Sequence, residues 1–84
     1  MRIYLQIPAT DDKAPRYYQL VLQSDMLGGW TLVREWGQLG ASGRVKREHF
    51  ATFDAAETAL QEARDNQIRR GYRVVFVQGQ ERPQ

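Results

Sequence analysis

The chain opens in alternation, with Ile3, Leu5 and Ile7 set against Arg2, Tyr4 and Gln6. A period of two marks a strand with one buried face, and Pro8, which cannot donate to a ladder, ends it. The polar run Ala9 to Pro15 predicts a loop. Alternation returns from Arg16 to Ser24, with Tyr18, Leu20 and Leu22 on one face. After a turn from Asp25 to Gly29, Trp30, Leu32, Arg34 and Trp36 share one face of a strand, and Thr31, Val33 and Glu35 the other. Gly37, Gly40 and Gly43 space a loop, and Arg44 to Phe50 follows as a strand. Successive strands with short connections predict an antiparallel meander.

Beyond Phe53 the period lengthens. Ala56, Ala59, Leu60 and Ala63 recur at helical spacing, a narrow stripe of small residues suited to close packing on a sheet. Asp54 is the expected N-cap, with Glu57 three residues on to complete a capping box. Arg69 and Arg70 sit where the helix dipole favours cations, and Gly71 supplies a left-handed stop. Tyr72 to Val77 is rich in β-branched residues and predicts a last strand. The pattern therefore predicts an α+β fold: a small antiparallel sheet of four to five strands with one α-helix packed on it. It forms a single domain over residues 1–79, with 80–84 as a flexible C-terminal tail.

Composition narrows the function classes. At 84 residues there is room for one core and no separate catalytic domain. The chain has no cysteine, which removes disulfides, thiolate zinc sites and thiol catalysis. The N-terminus meets Asp11 and Asp12 after too short an apolar run for a signal peptide, so the expected location is cytoplasmic. The net charge of +2 is mild, but its distribution is not even. Carboxylates gather at Asp11–Asp12, at Asp25 and from Asp54 to Asp65. Arg34, Arg44, Lys46 and Arg47 face one Glu35 within their own segment. Clustered cations are what a phosphate backbone requires.

Several spaced features then agree with one family. Trp30, Arg34, Trp36-Gly37, Leu39-Gly40, Gly43, Lys46, Phe50, Phe53, Ala56 and Arg70-Gly71-Tyr72 follow one another as in the WGR domain, which the chain resembles from about residue 16 to 77. Arg16-Tyr17-Tyr18-Gln19-Leu20 is similar to that family's aromatic lead-in strand. The name-giving arginine is replaced by Gln38, which keeps hydrogen-bonding capacity but loses the permanent charge and bidentate fork that suit phosphate. In poly(ADP-ribose) polymerases the resembling domain helps detect DNA breaks, with its tryptophan near the terminal nucleotide and basic side chains on the backbone, and it also contacts neighbouring domains. Short bacterial proteins consist of this domain almost alone, and the chain is similar to those. It holds no ADP-ribosyl transferase region, so the resemblance carries no polymerase activity.

The candidate nucleic-acid-binding residues are Trp36, Gly37, Gln38, Arg34, Arg44, Lys46, Arg70 and Tyr72. An aromatic beside a glycine loop can stack on a base or sugar, worth about 1–3 kcal/mol per base; packing on Leu32 is the alternative for Trp36. Arg44 and Lys46 share a strand face that Arg47 does not. If the face bearing Arg34 is exposed, Trp36, Arg34, Arg44 and Lys46 form one patch; cross-strand pairs to Glu35 or Glu48 are the alternative. The loop of Gly37, Gly40 and Gly43 is not a Walker loop and is expected to serve a turn or a close approach. Tyr72 lines the same region or is buried at the helix exit. Ser42, His49 and Asp54 have no triad spacing, and no metal-ligand cluster is visible. The expectation is a non-catalytic module without cofactor, a monomer or weak dimer. It binds DNA ends or nicks without base readout, or alternatively docks a separate protein effector through the Trp/Arg surface.

Overall fold

The computed structural model of the chain describes residues 1–79; the predicted tail at 80–84 lies outside them. Five strands and one helix follow in the order β1 (Arg2–Ile7), β2 (Arg16–Ser24), β3 (Trp30–Gln38), β4 (Arg44–Phe50), α1 (Phe53–Arg69) and β5 (Arg73–Gln78). The sheet is antiparallel throughout, with strand order β4-β3-β2-β1-β5. The first four strands form the expected meander. The helix then carries the chain across one face, from the β4 edge to the free edge of β1, where β5 pairs. Arg2 is opposite Gln78, and Gly79 lies against Met1, so both ends of the described chain leave the sheet together.

Alternation decides what is buried. Ile3, Leu5, Tyr18, Leu20, Leu22 and Leu32 form the sheet's half of the core. Ala56, Leu60 and Ala63 meet them from the helix, and Tyr72 from its exit. Leu5, Leu20 and Leu32 are wholly buried, each contributing about 1.5–3 kcal/mol relative to an exposed side chain. The opposite face of the sheet carries no helix. There Tyr17, Tyr4 and Phe76 form a ladder across β2, β1 and β5, with ring centroids 6.3 and 5.4 Å apart and planes within 12° and 14°.

Three boundaries differ from the sequence reading. The helix starts two residues earlier than Asp54 implies: Thr52 is the N-cap, its hydroxyl accepting from the Ala55 N–H at 3.2 Å. This lets Phe53 pack edge-on against Trp30, at 5.0 Å. Asp54 sits in the first turn, where its charge suits the dipole. The strand β3 runs on through Gly37 and Gln38, because both pair with β2, at Tyr17 and Arg16. Tyr72 belongs to the helix exit rather than to β5. Gly71, at φ 103°, donates to Ile68 O, and Tyr72 donates to Gln67 O, both at 3.0 Å; these are the two bonds that close a helix on a left-handed glycine. Among the described residues no helix is long and apolar enough to cross a membrane.

Candidate nucleic-acid interface

The helix is shorter than the longest strands, and the candidate site lies beside its C-terminal turn. Seventeen helical residues span about 25 Å, whereas the nine of β3 span about 30 Å. The helix begins at the Trp30 end, and its last turn lies beside Arg34 and Tyr18. Gln67, Arg69 and Arg70 line a cleft there of about 520 Å³ together with those two residues and Asn66. Trp36 follows Arg34 on the same face of β3, directly opposite Tyr18. It is half-buried and stacks on Tyr18, with centroids 5.6 Å apart and planes within 12°.

Strand register supplies its neighbours. Arg44 lies directly opposite Trp36 on β4, and Lys46 opposite Arg34. On β2, Tyr18 lies opposite Trp36 and Arg16 opposite Gln38. Opposed residues of an antiparallel pair share a face, so Arg16, Gln38, Arg44 and Lys46 surround Trp36 on its own face. All four are exposed. Arg16, Gly37 and Gln38 also line a groove of about 540 Å³ with Asp12, Lys13 and Ala14. Arg47 falls on the opposite face, as the alternation predicts.

The face bearing Arg34 is not an open one, as the single-patch arrangement supposed, because the helix covers part of it. Arg34 sits in the inner strand beneath the last helical turn, its side chain 23% exposed, with Nη2 2.7 Å from Glu48 Oε1. The contact is an ion pair by distance, but its angles do not make a hydrogen bond. Arg34 Nε, Glu48 Oε1 and the Oε1 of Gln67 are buried without hydrogen-bond partners. A buried polar atom left unpaired costs about 1–3 kcal/mol. Those atoms therefore favour any ligand or water that satisfies them. Arg70 is exposed at the cleft mouth. Tyr72 is buried, 6% exposed, and meets the Tyr18 ring edge-on at 5.9 Å. The structure thus places it behind the site as a support for Tyr18, not on the surface.

The glycine loop serves close approach. A Cβ on Gly43 would run into the Tyr17 hydroxyl and come within 2.9 Å of Trp36 O, and one on Gly37 would come within 3.0 Å of Gly43 Cα. The loop therefore folds tightly against Tyr17, whose hydroxyl donates to Glu35 Oε2 at 3.1 Å. Desolvation, reinforced by Glu35, raises the Tyr17 phenol above its ordinary value.

His49 lies at the other end of β4. Its Nδ1 is 2.6 Å from Asp25 Oδ2, a carboxylate that also accepts from the N–H groups of Leu27 and Gly29 and from the Thr31 hydroxyl. Burial alone would raise the Asp25 carboxyl, but the Gly29 and Leu27 amides and His49 together hold it below the ordinary carboxylate value. This pair ties the β2–β3 turn to β4. Ser42 stands in the β3–β4 loop at the Trp36 end and Asp54 on the helix, so neither forms a triad with His49. Among the described residues no three His, Cys, Asp or Glu side chains gather as metal ligands.

The structure brings Trp36, Gly37, Gln38, Arg44, Lys46 and Arg70 to one end of the helix-bearing face, with Arg34 beneath. Arg16, Lys13, Arg69 and Gln67 join them without having been singled out by sequence. Arg16 was recoverable, since pairing the β2–β3 hairpin across Asp25–Gly29 brings it opposite Gln38.

A family model described as "WGR domain" matches residues 1–78, so the match takes in β1 as well as the segment carrying the motif. An uncharacterized protein of Sinorhizobium fredii, y4dW, is 26% identical over 72 residues, covering 86% of this chain. The chain spans about a third of the length of that relative (35%). No solved structure matches.

Proposed function

The chain belongs to the WGR family, and from that premise we propose that it is a nucleic-acid-binding module. It takes DNA at duplex ends or nicks through sugar and phosphate contacts and performs no catalysis. One observation carries the reading: half-buried Trp36 is ringed on its own face by Arg16, Arg44 and Lys46, and its partner Tyr18 lines a cleft with Arg70. Tyr18 backs one side of the indole, leaving the remainder for a terminal base or sugar. The surrounding cations are spaced for the backbone rather than for base edges. Phosphate contacts of this kind position a protein without reading sequence. An end or nick exposes a terminal sugar and base that continuous duplex does not, and a single indole needs that exposure to stack.

Gln38 weakens the electrostatic share at the position where the family name has arginine. The Arg34–Glu48 pair neutralises a second charge. Both observations favour a second reading, in which the same surface docks a separate protein effector; aromatic and arginine side chains are also the usual anchors of such interfaces.

Fluorescence-anisotropy titration separates the two. Labelled blunt, 5′-phosphorylated and nicked duplexes would be compared with a continuous DNA circle, using the unaltered protein and a Trp36→Ala variant. Preference for ends or nicks, lost in the variant, is expected. No binding at low salt by folded protein would overturn the DNA reading and leave the docking one.

A further inference from the structure

The β1–β2 connection is tied to the far end of β3 by main-chain bonds. Thr10 and Lys13 bridge each other, the Thr10 N–H donating to Lys13 O at 3.0 Å and the Lys13 N–H to Thr10 O at 3.4 Å. Pro15, whose ring fixes its own φ, accepts from the Leu39 N–H at 2.9 Å. The groove of about 540 Å³ has Asp12, Lys13, Ala14 and Arg16 on one wall and Gly37 and Gln38 on the other. Those ties hold the two walls together.

Within the groove the charge sits on one wall only. Arg16 and Gln38 are directly opposed in the β2–β3 ladder, so their Cβ atoms stand about 4.5–5.5 Å apart on one face. The stem and guanidinium of an arginine reach across such a gap. A guanidinium on residue 16 therefore covers the surface that one on residue 38 would cover. Both side chains are exposed. Among the described residues neither Arg16 nor Lys13 forms an ion pair with a carboxylate, Asp12 included. Two cations against one carboxylate leave the groove one positive charge. The Arg16 fork can take an anion bidentately, and the Gln38 amide adds N–H donors beside it. Trp36 is two residues from Gln38 on the same face, about 7 Å along the strand. One nucleotide spans that distance, with its sugar or base on the indole and its phosphate in the groove.

Resting on the DNA-binding reading, we infer that this groove is the subsite for the phosphate adjoining the nucleotide on Trp36, and that Arg16 grips it. Arg16 does from β2 what an arginine at position 38 would do from β3. The glutamine at the position that names the family is thereby offset across the ladder. The two positions serve one phosphate, and like charges directly opposed in a ladder repel, so the site holds a single guanidinium.

Exchanging the two side chains tests this, by anisotropy titration of a 5′-phosphorylated duplex over a salt series. Both positions are exposed, so the exchange leaves the core untouched. Arg16→Gln is expected to weaken binding about tenfold at low salt and to flatten the log–log slope by about 0.9. Gln38→Arg added to that variant is expected to recover both losses. In the unaltered background Gln38→Arg is expected to gain less than about half as much, because the two substitutions are coupled through one phosphate. Three outcomes would each overturn the assignment: Arg16→Gln equal to the unaltered chain, an exchanged protein no better than Arg16→Gln, or the same gain from Gln38→Arg in both backgrounds. No DNA binding by the unaltered chain would remove the DNA reading and the subsite with it, whereas binding with a failed exchange removes the subsite alone.

Discussion

The division of cations between the two sheet faces makes the interface quantitative. Arg16, Arg44, Lys46 and Arg70 are exposed around Trp36 and the cleft, and none has a carboxylate partner among the described residues. If each engages one phosphate, the log–log slope of affinity against salt is about −3.6, at about 0.9 per contact. Raising salt fourfold then weakens binding about 150-fold. Lys46→Gln removes one contact, and the slope should fall to about −2.7, with the same step in salt costing about 40-fold. Arg47→Gln removes the same charge from the other face, one residue away, and should leave the slope unchanged. Both variants alter exposed side chains, so their folding is not at issue. Anisotropy titrations of a 5′-phosphorylated duplex at four or five salt concentrations read the slopes directly. Equal slopes for both variants, or a loss confined to Arg47→Gln, would show that the assignment of phosphate contacts to the Trp36 face is wrong.

Two further expectations concern the frame that holds the site. Thr52→Ala removes the observed helix cap and should cost about 1 kcal/mol in chemical denaturation, more than Asp54→Ala, which loses only a dipole contact; the reverse order would restore Asp54 as the cap. Asp25 titrates below its ordinary value of 3.8 in the folded protein. A depressed carboxyl contributes stability that is present above its unfolded value and lost as pH falls through the folded one. Melting temperatures should therefore drop below about pH 4 more steeply for the unaltered chain than for Asp25→Asn, and parallel curves would count against the tie between the β2–β3 turn and β4.

Much of this arrangement is legible in the residues, and the gaps have physical causes. The alternation in β2 and β3 put Tyr18, Leu20, Leu22, Leu32 and Trp36 on one face, and packing against the helix confirms it. Alternation does not state what a side chain meets on its face. Arg34 and Trp36 share a face two residues apart, yet Arg34 is paired with Glu48 whereas Trp36 stacks on Tyr18. The helix start was displaced because Thr52 and Asp54 are both good caps two residues apart, and the choice rests on Phe53 meeting Trp30, a long-range contact. Gly37 reads as loop from its neighbours, but the Tyr17 backbone opposite draws it into the ladder. The position of β5 beside β1 rather than β4 depends on the direction of the helix crossover, which no local pattern encodes.

The pairing of Arg2 with Gln78, and the contact of Gly79 with Met1, have a consequence for larger assemblies. Both ends of the described chain leave the sheet side by side, towards the end where Trp30 lies and away from Trp36. A unit with adjoining ends can be spliced into a longer polypeptide, or carry a fusion at either end, much as a pendant hangs from one point. The added mass collects at the attachment, and the Trp36 end stays unobstructed.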